Sequence, residues 1–221
     1  MKQKFNDQIL LLIFFLFITF SLKAQDPNRY NDQVAELVQK EYNFDAAKKR
    51  VVFAGSSSVR MWKDVQDYYP GFNVVNNGFG GSHFSDLLYF YDKLILKHDP
   101  DILFIYEGDN DIAGDKKPGE VFKDAKELFS RIQRDLPETK VICISAKPSI
   151  ARESFKQNYE KLNRKLEKYC KRKDNLEFAD VWNAMLDENG DVLQDVFIKD
   201  GLHMNKKGYD IWGEVLSEFM K

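Results

Sequence analysis

Five short apolar runs separated by stretches of helical periodicity predict an α/β fold, with a parallel sheet covered by helices on both faces. The runs at 51–54 and 102–106 are apolar throughout, as expected of strands buried on both faces rather than one. Between the runs, apolar residues recur at intervals of three and four, which is the period of amphipathic helices. Right-handed crossovers between parallel strands then build a three-layer α/β/α sandwich with five strands in the order 2-1-3-4-5, a flavodoxin-like arrangement. In that order the ends of strands one and three are neighbours, so the polar segments that follow strands one, two and three converge on one edge of the sheet.

Taken in order, residues 26–50 are polar and charged around Val34, Leu37 and Val38, which predicts one amphipathic helix with a structural role on the domain edge. Strand one, 51–54, stops at Gly55, and Ser56, Ser57 and Ser58 form a tight turn opening a short helix through Arg60 and Trp62. Residues 72–76 are the second strand and run into the glycine-rich segment 77–82. Ser82 or His83 opens a helix carrying Leu87, Leu88, Tyr91, Leu94 and Ile95, which Asp99 and Pro100 end. Strand three, 102–106, is followed by Gly108, Asp109, Asn110 and Asp111. Pro118 stands at a helix start, with Val121, Phe122, Ala125, Leu128, Phe129 and Ile132 on the apolar face. The fourth strand is 140–145, a helix with Phe155, Tyr159, Leu162 and Leu166 on one stripe follows, and 176–181 is the fifth strand. The last helix, 206–219, buries Tyr209, Trp212, Val215, Leu216 and Phe219, and the segment Asp200-Gly201-Leu202-His203 precedes it.

The chain has 221 residues, 43% of them hydrophobic and 31% charged, which suits one globular domain with a substantial core. Lys2 and Lys4 precede an apolar run from Ile9 to Phe20, and Leu22-Lys23-Ala24 ends in a small residue. Residues 1–24 therefore have the pattern of a cleavable signal peptide, leaving one domain at 25–221 and an exported location, periplasmic or secreted. The apolar run is shorter than the roughly 20 residues of a spanning helix, so no stable membrane span is expected after cleavage. Without residues 1–24 the chain carries 30 basic and 34 acidic residues, and no basic footprint for nucleic acid is visible. Two cysteines, Cys143 and Cys170, do not form a disulfide scaffold and are expected to be free. Oligomeric state is not written in these patterns.

Hydrolysis by a serine requires a nucleophile, a histidine base, a group to orient the histidine, and donors for the oxyanion. Each has a candidate at a strand end. Ser57 follows strand one, with Ser58 as the alternative if the register differs by one. His203 has Asp200 three residues before it, close enough in one turn to meet Nδ1. Gly81 offers an unobstructed backbone N–H, and Asn110 a side-chain amide. Arg60, Trp62, Lys147 and Trp182 are candidates to line the pocket. No cofactor is expected. Two other readings use the same residues: a non-catalytic flavodoxin-like module holding phosphate at the helix start, and a metal-dependent hydrolase with Asp109, Asp111, Asp200 and His203 as ligands.

The segments GSSS at 55–58, NNGFGGS at 76–82, GDND at 108–111 and DGLH at 200–203 resemble, in order, the four motif blocks of the SGNH hydrolases, also called GDSL-like lipases or acylhydrolases. The likeness spans Val51 to the C-terminus. It implies a serine ester hydrolase with Ser57 as nucleophile, Asp200 and His203 completing a triad, and an oxyanion hole of the Ser57 N–H, the Gly81 N–H and the Asn110 side chain. Ser56 stands where the family's GDS motif has aspartate, a position outside the triad. The family's substrates include short acyl esters, acetylated sugars, thioesters and lipids such as lysophospholipids. Short connections and the lack of a long apolar insertion favour small acyl groups, acetyl first, and export favours a carbohydrate or other small-molecule ester.

Overall fold

A computed structural model of the chain describes residues 26–221. The expected signal peptide at 1–24 lies outside the described residues. Five strands, β1 (Arg50–Gly55), β2 (Asn73–Gly78), β3 (Ile102–Tyr106), β4 (Lys140–Ile144) and β5 (Leu176–Ala179), form one sheet in the order β2-β1-β3-β4-β5, as predicted. Every pairing is parallel, and Gly55 is level with Gly78 on one side and with Tyr106 on the other. Three strands therefore end together along one edge.

Alternate residues of the central strands face opposite layers, as the two-residue period of a strand requires. Val52, Ala54, Leu103, Ile105, Val141 and Cys143 pack into one core with helices α1 (Asn31–Val38), α3 (Phe84–Tyr89), α5 (Pro118–Asp135) and α6 (Lys156–Cys170). Val51, Phe53, Phe104, Tyr106, Ile142 and Ile144 pack into the other with α2 (Ser57–Met61) and α7 (Lys206–Ser217). Phe53 stacks on Phe104 with ring centroids 4.6 Å apart, and Trp212 of α7 meets the edge of Tyr106 at 4.9 Å. Cys143 and Cys170 are both buried in the first core as free thiols.

The structure departs from the sequence reading in several places. The N-terminal helix is short, a 3-10 turn at Pro27–Tyr30 and then α1, which ends at Val38. Strand β2 continues into the glycine-rich segment because Asn77 and Gly78 still pair with Ala54 and Gly55. The helix expected from Ser82 to Ile95 is broken at Phe90. Turns at Tyr91–Leu94 and Leu96–His98 follow α3, and the Asn77 amide donates to the Leu94 carbonyl at 2.7 Å. That bond satisfies a carbonyl left without a helical partner, which lets the chain bend and keep Phe90, Leu94 and Ile95 buried. A short helix, α4 (Asp109–Ala113), forms where only a polar loop was read. Among the described residues no helix is long and apolar enough to cross a membrane.

Two histidines are buried by this packing. His98 closes the turn before β3 and meets the edge of Tyr42, and His83 caps α3. Burial, then the charges of Lys97 and Arg50, lowers the pKa of His98 to about 4, while burial, then Lys116, Arg29 and Arg152, lowers that of His83 to about 3. Unfolded histidine binds its proton near pH 6.5, so between pH 6.5 and 4 the unfolded chain holds more protons than the folded one. Stability from these two groups is complete above pH 6.5 and is lost as pH falls. The melting temperature of His83→Gln/His98→Gln should fall less steeply between pH 7 and 4.5 than that of the wild type; equal slopes would contradict this assignment.

Candidate active site

Ser57 is placed by a close turn over the end of the sheet. Gly55 has φ +138°, and a Cβ there would lie 2.1 Å from the Tyr106 carbonyl oxygen. Only glycine permits this approach. Ser56 donates its N–H to the same Tyr106 carbonyl at 3.0 Å and accepts at its own carbonyl from the N–H groups of Val59 and Arg60, which starts α2. Five residues are too few for a helix to persist alone. Neighbours hold it: the Asn76 amide donates to the carbonyls of Val59 and Trp62 at 2.8 and 2.9 Å, and the Tyr209 hydroxyl donates to the Ser58 carbonyl at 3.0 Å. Gly78 permits the contact from below, since a Cβ there would lie 2.1 Å from the Arg60 nitrogen.

The Ser57 Oγ lies 2.9 Å from His203 Nε2, and His203 Nδ1 lies 2.6 Å from Asp200 Oδ2. Ser58 is buried and makes no such contact. The carboxylate at Nδ1 selects the tautomer protonated there, leaving Nε2 to accept from Ser57. Asp200 Oδ1 also accepts from the backbone N–H groups of Leu202 and His203, each at 2.9 Å. Burial opposes ionisation, but the His203 ring and these two N–H groups prevail and lower the Asp200 pKa to about 2. Below the turn, Lys147 is buried and donates from Nζ to the Leu202 carbonyl at 2.7 Å.

Opposite His203, the N–H groups of Ser57 and Gly81 have no acceptor among the described residues. Asn110, in α4, donates from Nδ2 to the Ser82 carbonyl at 3.0 Å and accepts at Oδ1 from Arg152 Nη2 at 3.1 Å. The second Nδ2 proton is left for the cleft. Arg152 is held in turn by an ion pair with Asp109 Oδ1. Asp109 also accepts from Tyr106 at 3.1 Å and from Tyr159 at 3.0 Å. Burial raises its pKa, but Lys147 and Arg152 outweigh burial and hold the carboxyl below the usual range.

The N-terminal segment also borders the site, beyond the structural role read for it. Tyr30 donates from its hydroxyl to the Gly81 carbonyl at 2.5 Å, and Gln33 Oε1 accepts the Gly80 N–H at 3.0 Å. These bonds orient the peptide that presents the Gly81 N–H. The resulting cleft holds about 350 Å³, and Leu202 is the one aliphatic side chain among the described residues that line it.

All five sequence-predicted residues, Ser57, Gly81, Asn110, Asp200 and His203, thus meet in or beside one cleft. Arg60 lines it as expected, whereas Trp62 is fully buried under Tyr209 and Trp212, Lys147 lies beneath the floor, and Trp182 packs in the other core. Tyr30, Gln33 and Arg152 were missed, because each reaches the site across a long stretch of chain. The proposed metal ligands do not assemble. Asp111 accepts from Lys116 at 3.1 Å and from two backbone N–H groups, Asp109 is committed to Arg152 and the tyrosines, and among the described residues no group of three or more His, Cys, Asp or Glu could hold a metal ion.

A five-stranded parallel sheet covered by helices on both faces, with a cleft at its strand ends, is an α/β fold that the chain shares with solved acylhydrolases. The chain belongs to the GDSL-like Lipase/Acylhydrolase family, which it matches over residues 18–211, and it is a hydrolase acting on ester bonds. No curated protein matches it. Among solved structures it is similar to a Streptococcus pneumonia protein provisionally named a platelet activating factor, with 20% identity, TM-score 0.74, and coverage of 98% of this chain and 99% of that one. A GDSL-like lipase from Bacteroides thetaiotaomicron shares 23% identity with TM-score 0.70 over 88% and 97% of the two chains. An acetylxylan esterase from Geobacillus stearothermophilus, solved as a catalytic mutant, shares 15% identity with TM-score 0.64 over 78% and 94%.

Arg152 leaves the Asn110 amide one orientation, with oxygen toward the guanidinium and nitrogen toward the cleft. Arg152→Gln should lower kcat about tenfold with a smaller change in KM, because a misdirected amide is lost mainly to the transition state. A kcat equal to that of the wild type would remove this role.

Proposed function

We propose that the protein is an exported serine acylhydrolase that removes small acyl groups, acetyl first, from a carbohydrate or other small-molecule ester. The observation that carries this reading is the continuous relay from Ser57 through His203 to Asp200, facing two backbone N–H groups without acceptors among the described residues. Ser57 Oγ attacks the ester carbonyl as His203 Nε2 takes its proton, and Asp200 stabilises the imidazolium. The N–H groups of Ser57 and Gly81 and the Asn110 amide receive the negative charge of the tetrahedral intermediate. His203 returns the proton to the departing alkoxide, leaving Ser57 acylated. Water, activated by the same histidine, then releases the acid and restores the serine.

The cleft supports the choice of a small acyl group. With about 350 Å³ and one aliphatic side chain in its described lining, it offers little apolar surface for a long alkyl chain. An acetylxylan esterase among the similar structures supports acetyl chemistry on sugars. Export rests on the pattern of residues 1–24, and the catalytic domain is residues 25–221.

With p-nitrophenyl acetate, Ser57→Ala should lower kcat by on the order of 10⁴ to 10⁶, Ser58→Ala should retain activity, and Asn110→Ala should lower kcat by on the order of 10² to 10³. An active Ser57→Ala enzyme would falsify the assignment of the nucleophile. Across p-nitrophenyl esters, kcat/KM should fall from acetate to octanoate; a preference for octanoate would exclude the acetyl reading. Exported protein recovered from cells should begin at Gln25, which N-terminal sequencing reads directly.

A further inference from the structure

Beside the cleft lies a second cavity of about 350 Å³, bounded by α1 on one side and by α2 and the end of β2 on the other. Arg60 and Gln33 line both cavities, so the two adjoin and share a wall. The Arg60 guanidinium lies over Gly80, where a Cβ would meet its Cζ at 3.0 Å. Lys40 and Lys63 supply two further cations, and Glu36 is the one acid in the described lining. None of the three cations forms an ion pair or a side-chain hydrogen bond with another described residue, and no described salt bridge takes Glu36 either. Burial, then the charge of Lys63, lowers the pKa of Lys40, and Glu36 offsets this only in part. This concentration of positive charge stands out in a chain whose net charge is −2.

We propose that this cavity is a subsite for an anionic group, a carboxylate or a phosphate, carried by the alcohol part of the ester whose acyl carbonyl sits at Ser57. The inference rests on the esterase reading above and narrows its substrate to acidic esters. A guanidinium presents paired N–H donors that match the oxygens of either anion, and the two ammonium groups add charge without a fixed geometry. Arg60, standing between the two cavities, is the group that couples recognition of the anion to placement of the ester. Gln33, already bonded to Gly80, is the other residue common to the two linings. Partly exposed charges are screened by salt, so the preference should weaken as ionic strength rises.

The test compares monoacetylated methyl glucoside with the matching glucuronoside and glucoside 6-phosphate at low salt. We expect kcat/KM about tenfold higher for at least one anionic ester, with the carboxylate or the phosphate arm identifying which anion is read. The preference should shrink in 0.5 M (about threefold above physiological ionic strength) sodium chloride and fall to within about twofold in Arg60→Gln/Lys40→Gln/Lys63→Gln, the residual expected when steering by charge is removed. Equal rates on neutral and anionic esters, or a preference that survives the triple substitution, overturns the subsite and leaves the esterase reading standing. Ligand-observed NMR with methyl glucuronoside and glucose 6-phosphate on Ser57→Ala protein separates the two claims. Binding that the triple substitution removes supports the subsite even if no ester is turned over, an outcome that overturns the esterase reading alone.

Discussion

The cleft depends on how closely the chain can turn over the end of the central sheet. A single Cβ at Gly55 would occupy the space of the Tyr106 carbonyl oxygen, and that carbonyl is the group that receives the Ser56 N–H and starts α2. The same turn leaves the Ser57 N–H, at the start of a helix, without an acceptor among the described residues, and directs the Ser57 hydroxyl over the strand ends. In the proposed mechanism, nucleophile and oxyanion donor are therefore set by one constraint. The level pairing of Gly55 with Gly78 and Tyr106 then brings Gly81 and Asn110 to the same edge, since each follows its strand within a few residues.

Beneath this edge the protein buries charge. Taking an ion out of water costs several kcal/mol unless it is paired and hydrogen-bonded. Asp109 meets that condition through Arg152, Tyr106 and Tyr159, with Lys147 Nζ 3.9 Å away. Such a network adds little net stability, because its pairing offsets its own desolvation. Its value is in geometry: Arg152 orients the Asn110 amide, and Lys147 holds the Leu202 carbonyl in the turn that carries Asp200 and His203. The two halves of the cleft thus share one buried anion as their support. Glu107 is a different case. It is fully buried, accepts from the Ser82 hydroxyl at 2.7 Å, and burial first, then the charge of Asp111, pushes its carboxyl well above its usual pKa.

The N-terminal segment shows how an edge element becomes part of a site. Val34 and Leu37 bury one face of α1 in the core, and this anchoring leaves Tyr30 and Gln33 facing the glycine-rich segment after β2. Arg29 donates to the Tyr30 hydroxyl at 2.7 Å, and that hydroxyl donates onward to Gly81. Burial, then Asp86, raises the Tyr30 pKa to about 12, so the phenol keeps the proton it donates. The polar face of the same helix forms one wall of the cationic cavity. Packing, the placing of the Gly81 peptide and the charge of the outer cleft all converge on this short N-terminal segment.

Most of the architecture was legible in the sequence because it follows from local rules. Unbroken apolar runs marked buried parallel strands, and their alternation with helical stripes led to the strand order. That Ser57, Gly81, Asn110, Asp200 and His203 would meet at one edge was legible because each lies directly after a strand or in a short turn with its partner, where chain proximity does the positioning. Helix α4 was not, since Asp109 to Ala113 carries too few apolar residues to show a period and is held by Arg152 and Tyr159 from elsewhere in the chain. The break at Phe90 escaped for a similar reason, as the Asn77 amide that ends the helix at Leu94 comes from another strand. Tyr30, Gln33 and Arg152, and the adjoining of Lys40 with Arg60 and Lys63, belong to the tertiary structure. Those contacts join segments far apart in the chain, and only the packing of α1 against the sheet and the path after β4 bring them together.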